Sequence, residues 1–131
     1  MSKIAITFFA VLILGLFASV SFAQRATRIT FRRGATTRVV TGSLNGYKAK
    51  QTFLIRVRRG QTLTTENSNG NPITVGIDAP RGSTYEQDMA ADCHDHNEVS
   101  PTAAGDYKIT VTECQKADRW RGRFRLRVTV R

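Results

Sequence analysis

The sequence predicts an all-β protein, an antiparallel β-sandwich of about seven strands, with a small β-barrel as the structural alternative. Three observations lead there. The apolar residues recur with a period of two, which places them on one face of a strand. The runs are separated by Gly34, Asn45-Gly46, Arg59-Gly60 and Asn69-Gly70-Asn71-Pro72, residues that tolerate positive φ or open a turn. Beyond residue 23, no stretch carries an apolar stripe at helical spacing.

Taken in order, weaker strands are expected at Arg28 to Arg32 and at Arg38 to Gly42. Phe53, Ile55 and Val57 then alternate with Thr52, Leu54, Arg56 and Arg58, Leu54 being the one exception to the pattern. A further weak strand is expected at Gln61 to Thr65, followed by apolar faces at Ile73, Val75 and Ile77 and at Tyr107, Ile109 and Val111. The last strand is the clearest. Trp120, Phe124, Leu126, Val128 and Val130 alternate with Arg119, Arg121, Arg123, Arg125 and Arg127, so an apolar face is backed by a ladder of guanidinium groups. Between the fifth and sixth runs, Ala79 to Ala104 reads as one long irregular segment, of a length that is uncommon unless functional or pinned.

The first residues are not part of this pattern. Lys3 precedes an uncharged apolar run from Ile4 to Val20, and Ser21-Phe22-Ala23 supplies small residues where a signal peptidase reads. Residues 1–23 are therefore expected to be a cleaved signal peptide, with Gln24 to Arg131 forming a single domain that has no membrane span. A retained membrane anchor is the competing reading, and the flanks favour cleavage. The residue immediately after the cleavage site is Gln24 and not a cysteine, which argues against a lipid anchor. The expected location is periplasmic or secreted. In such an oxidising compartment the chain's two cysteines, Cys93 and Cys114, are expected to form a disulfide.

Charge is polarised along the chain. The formal net charge is +10, and Gln24 to Gly60 contains basic residues but no acidic one. All ten acidic residues fall between Gln61 and Asp118, and six arginines close the chain. Arginine in this excess favours forked contacts to carboxylate or phosphate. Arg56, Arg58, Arg123, Arg125 and Arg127 are therefore candidates for an anionic surface such as lipopolysaccharide, acidic glycan or nucleic acid. An edge strand that carries charge to discourage aggregation would show the same alternation. Export removes the protein from the genome, and no aromatic residue interleaves with these arginines on their face, which disfavours nucleic acid.

Catalysis is not expected. The acids Glu86, Asp88, Asp92, Asp95 and Glu98 have no accompanying nucleophile motif, and there is no phosphate-cradling Gly-rich loop, nucleophile elbow or zinc-protease motif. Nothing calls for a cofactor. Asp92, His94, Asp95 and His96 have the residue types to hold zinc or copper, but one short cluster with no second one elsewhere reads better as a polar loop around a disulfide, and no metal is predicted.

Several segments resemble the periplasmic inhibitors of goose-type lysozyme. They are Ile29 to Gly34 (ITFRRG), Gly42 to Tyr47 (GSLNGY), Val57 to Thr64 (VRRGQTLT), Ala104 to Val111 (AGDYKITV) and Lys116 to Arg119 (KADR) with the alternating strand after it. "GQTL" and "GDYKITV" also resemble bacterial pre-peptidase C-terminal-like β-sandwich domains, accessory modules of secreted proteins. The first resemblance implies a binding protein that plugs the substrate cleft of a muramidase, its protein partner. It implies that the segment between the last two strands does the blocking, with Lys116, Arg119 and Arg121 facing the enzyme's acidic groups; Arg119 matches the family pattern at its own position. The Cys93/Cys114 pair and the Ala79 to Ala104 segment lie outside the resemblance. An anionic-polymer binder and a stand-alone accessory domain are the alternatives.

Overall fold

The computed structural model describes residues 25–87 and 93–131. The expected signal peptide and its cleavage point, with Asp88 and Asp92, lie outside the described residues. The described residues form eight strands: β1 (Thr27–Arg28), β2 (Thr37–Asn45), β3 (Lys50–Val57), β4 (Leu63–Asn67), β5 (Ile73–Asp78), β6 (His96–Val99), β7 (Gly105–Glu113) and β8 (Arg121–Val130). They form two four-stranded sheets, ordered β1-β3-β7-β5 and β2-β8-β4-β6. The sheets face one another as an open sandwich, not a closed barrel, and the core lies between them.

The period-two pattern builds this core directly. Phe53, Ile55 and Val57 of β3, Tyr107, Ile109 and Val111 of β7, and Phe124, Leu126 and Val128 of β8 are all buried. The rings of Phe53 and Phe124 meet edge to face across the sandwich, with centroids 6.2 Å apart. Leu54 breaks the sequence pattern because it lies on the outer face of its sheet, half-buried opposite Lys108. One glycine is required by packing. Gly42 lies opposite Phe124 in the β2–β8 register, and a Cβ there would come within 2.6 Å of the ring. Gly42→Ala is therefore expected to force the fully buried ring off its rotamer, at a cost of about 1–3 kcal/mol. A urea titration of the oxidised chain checks this; an unchanged midpoint would mean that the ring moves freely.

Two sequence expectations need correction, and two further points refine the reading. The strands are antiparallel except for β1, which pairs parallel with β3 through Thr27↔Phe53 and Arg28↔Leu54. The N-terminal strand expected over Arg28 to Arg32 is only two residues long, although the Ile29 N–H continues the pairing by donating to the Leu54 carbonyl at 2.8 Å. The segment from Ala79 to Ala104 is not irregular throughout: it contains β6, which pairs with β4 from Leu63↔Val99 to Glu66↔His96. β6 is masked in the sequence because one of its two buried residues is polar. Asn97 is 3% exposed and donates to the Val75 carbonyl at 3.0 Å and to Thr65 Oγ1 at 3.3 Å. A buried amide satisfied in this way is stable inside, yet it reads as a loop residue. Finally, β8 is not an edge strand. It lies between β2 and β4 with both ladders formed, so its arginines are not edge protection.

The cysteines behave as expected. Cys93 and Cys114 are joined, with their Cα atoms 4.7 Å apart. Cys114 is buried at the end of β7, and the Cys93 N–H donates to Thr74 Oγ1 at 3.0 Å. The bridge thus ties the approach to β6 onto the β5–β7 edge of the other sheet.

Candidate functional site

At one end of the sandwich the β7–β8 loop, residues 114–120, lies against the β2–β3 turn. The loop contains the cations that sequence singled out, and its geometry explains how they are presented. Its root is Cys114, whose N–H donates to the Pro72 carbonyl at 3.1 Å. The Ala117 N–H closes a turn onto the Cys114 carbonyl at 3.2 Å. From the β2–β3 turn, the Tyr47 hydroxyl donates to the Ala117 carbonyl at 2.7 Å. At the far end of the loop, the Trp120 N–H donates to Glu113 Oε1 at 2.9 Å, and its indole Nε1–H donates to the Pro72 carbonyl at 3.1 Å.

Glu113 is the least expected of these anchors. It is 1% exposed, because it continues the inward series Tyr107, Ile109, Val111 of β7. A buried carboxylate oxygen that accepts a backbone N–H fixes that backbone firmly. On the turn, Gly46 has φ +97°, and a Cβ there would sit 4.0 Å from Glu113 Oε2. The positive φ is the requirement at this glycine, and it lets Tyr47 follow directly and reach the loop.

Within this frame Lys116 is exposed at the tip of the loop. Arg119 is exposed too, with its guanidinium carbon 5.0 Å from the centroid of the Tyr47 ring, a cation–π stack. Arg121 opens β8, opposite Asn45. Two shallow hollows separate turn from loop, and Arg119 lines both, with Asn45 and Gly46 on one wall and Gln115 or Trp120 and Arg121 on the other. The structure therefore brings Arg119 and Arg121 together and places Lys116 on the same loop. The residues that sequence reasoning missed are Tyr47, Pro72, Glu113 and Trp120 in their anchoring roles. For Glu113 a signal was available, since its position in the alternation of β7 already pointed inward.

The other candidates divide between the two faces. Arg123, Arg125 and Arg127 stand in a row on the exposed side of β8. Arg56 and Arg58 do not join them. Arg56 lies on the outer face of the opposite sheet, paired in register with Asp106, and Arg58 follows the end of β3. Asp106 is held below the ordinary carboxylate range chiefly by its hydrogen bonds with Arg28, at 3.0 and 3.1 Å, with smaller help from the charges of Arg28 and Arg56. Grouping all five arginines as one surface fails because β3 and β8 belong to different sheets.

The acids and histidines of the middle segment are dispersed. Asp95 accepts from the Asn67 side chain at 3.1 Å, and the His94 carbonyl accepts from the Val75 N–H at 2.8 Å. His96 and Glu98 point outward from β6, and Glu86 is exposed. Among the described residues no three His, Cys, Asp or Glu side chains gather in a way that would hold a metal. No described helix is long and apolar enough to cross a membrane.

The described residues form an eight-stranded sandwich with a pinned, cationic loop at one end, and solved structures share this fold. The chain is similar to the periplasmic inhibitor of g-type lysozyme from Aeromonas hydrophila, with a TM-score of 0.62 and 19% identity over 81% of this chain and 96% of that one. It is likewise similar to the inhibitor of g-type lysozyme from Salmonella Typhimurium, with a TM-score of 0.59 and 14% identity over 82% and 98%. A mutant form of the Escherichia coli inhibitor matches with a TM-score of 0.58 and 16% identity over 81% and 97%. These likenesses extend over nearly the whole of the inhibitors and show a common fold. No protein-family profile and no curated protein matches the sequence.

Proposed function

We propose that this chain is an exported inhibitor of a muramidase, most simply of the goose type, and that its β7–β8 loop blocks the enzyme's cleft. The observation that carries the reading is the anchoring of that loop. Its backbone is held by Tyr47 from the β2–β3 turn, by Glu113 at the end of β7 and by Pro72 just before β5, while Lys116 and Arg119 remain exposed. A segment ordered before it binds loses little conformational entropy on binding, which is how a short loop becomes an effective plug. A guanidinium facing the carboxylates of a half-dry cleft makes a strong charge-assisted contact. The shared fold supports the reading, since the neighbours are inhibitors of g-type lysozyme and are periplasmic. The disulfide fits an oxidising compartment.

The test is muramidase turnover and bacterial-cell turbidity with purified, oxidised 24–131 added to goose-type, chicken-type and invertebrate-type enzymes. Stoichiometric loss of goose-type activity alone is the expected outcome. A folded protein that affects none of the three would refute the reading.

A further inference from the structure

The second feature with no assigned role is the outer face of the β2-β8-β4-β6 sheet. Arg121, Arg123, Arg125 and Arg127 are all exposed on β8, in the interior of this sheet. Alternate residues of a strand are roughly 7 Å apart, so the row extends for about 20 Å. Only Arg127 has an acidic partner among the described residues, Glu66 at 3.2 Å. Arg123 makes a long contact of 3.4 Å with Thr41 Oγ1. Like charges along one strand repel each other, and among the described residues only the Arg127–Glu66 ion pair offsets this.

The neighbours of the row are asymmetric. On the β4 and β6 side the face carries Glu66 and Glu98, which disfavour an anion. On the β2 side it carries Thr37, Val39, Thr41, Ser43 and Asn45, opposite Thr129, Arg127, Arg125, Arg123 and Arg121. That side is uncharged and rich in hydroxyl groups. It also holds Val39, the one large hydrophobic residue exposed among the described residues. No Phe, Tyr or Trp stands on this face in any of the four strands, and the one ring there, the imidazole of His96, lies on β6, two strands away from β8, so no row of rings accompanies the arginines for bases to stack on.

We infer that the β8–β2 face binds an extended acidic polysaccharide running along β8. The guanidinium forks take its carboxylate or other acidic groups, the Thr and Ser hydroxyls take its sugar hydroxyls, and Val39 meets an apolar sugar face. Apart from Arg121 and Asn45, which also line the loop end, this site is separate from the loop plug, and it does not rest on the muramidase reading. It would hold the protein on an anionic glycan while leaving the loop end of the sandwich free.

The experiment titrates oxidised 24–131 with polygalacturonate fragments of defined length between about 50 and about 200 mM salt. Binding is expected, falling steeply with salt, while neutral dextran does not bind. Arg123→Gln/Arg125→Gln is expected to weaken binding about tenfold and to flatten the salt slope by about two charges. Arg56→Gln/Arg58→Gln, which removes the same charge from the opposite sheet, should change affinity by less than about twofold at moderate salt, where distant charges are screened. Equal losses in the two double variants would reduce the effect to net charge and overturn the inference. So would unchanged binding in Arg123→Gln/Arg125→Gln, or tighter binding of a single-stranded oligonucleotide of matched charge. Because Arg123→Gln/Arg125→Gln leaves the loop intact, its muramidase inhibition is expected to equal the parent's, which separates failure of this inference from failure of the plug.

Discussion

Arg119→Glu is expected to weaken muramidase inhibition by at least about a hundredfold while leaving the fold intact. Residues that dominate a protein interface typically cost about 2 kcal/mol or more when truncated, and reversing the charge adds repulsion from the enzyme's acidic groups. The fold should tolerate the change because Arg119 is exposed and makes no ion pair among the described residues. Its one contact is the stack on Tyr47, worth about 0.5–1 kcal/mol at an exposed site. Two further variants separate charge from positioning. Arg119→Lys keeps the charge and loses the planar fork, so an intermediate loss is expected. Tyr47→Phe keeps a ring beneath Arg119 but removes the 2.7 Å tether to Ala117, so inhibition should weaken several-fold through a looser loop. Inhibition constants against a goose-type enzyme, with circular dichroism to verify folding, decide the matter. A well-folded Arg119→Glu that inhibits like the parent would show that the cleft is blocked by another part of the molecule.

The sequence discloses the parts of this protein that obey a local rule and conceals those that depend on strand order. β8 is legible because Arg123 to Val128 alternate without interruption and the apolar residues among them enter the core. Its place in the sheet is not legible, since an interior strand and an edge strand can have the same alternation. For that reason the arginine row resembles edge protection until β2 and β4 are seen on either side. Likewise, nothing local assigns β3 to one sheet and β8 to the other, so Arg56 and Arg125 look alike in sequence and lie on opposite faces. β6 is hidden by its length of four residues and by Asn97, a polar side chain whose burial depends on Thr65 and Val75 from distant strands.

The candidate site divides in the same way. The cations of the β7–β8 loop are visible in the sequence, and the resemblance to the inhibitors directs attention to them. What makes the loop a presented element is not visible, because Tyr47 acts across 70 residues and Pro72 across 48. The anchors are therefore the structural finding, and they change how the loop is understood: a charged tip on a fixed backbone, not a flexible basic tail.

The disulfide is the second place where a large effect is expected. Removing it with Cys93→Ser/Cys114→Ser, so that no free thiol remains, should lower stability by about 3 kcal/mol, the loop-closure value for a bridge spanning 21 residues. For a domain of this size that corresponds to a fall in Tm of more than about 10 °C. The effect on inhibition should be much smaller. Cys114 is the root of the loop, but Glu113, Pro72 and Tyr47 hold the chain independently of the bridge. Well below its melting temperature the double variant is thus expected to inhibit within several-fold of the parent, while scanning calorimetry shows the full loss of stability. The opposite pattern, an unchanged Tm with abolished inhibition, would mean that the bridge positions the loop and contributes little to the sandwich. That result would move the anchoring role from Tyr47 and Glu113 to the sulfur bridge.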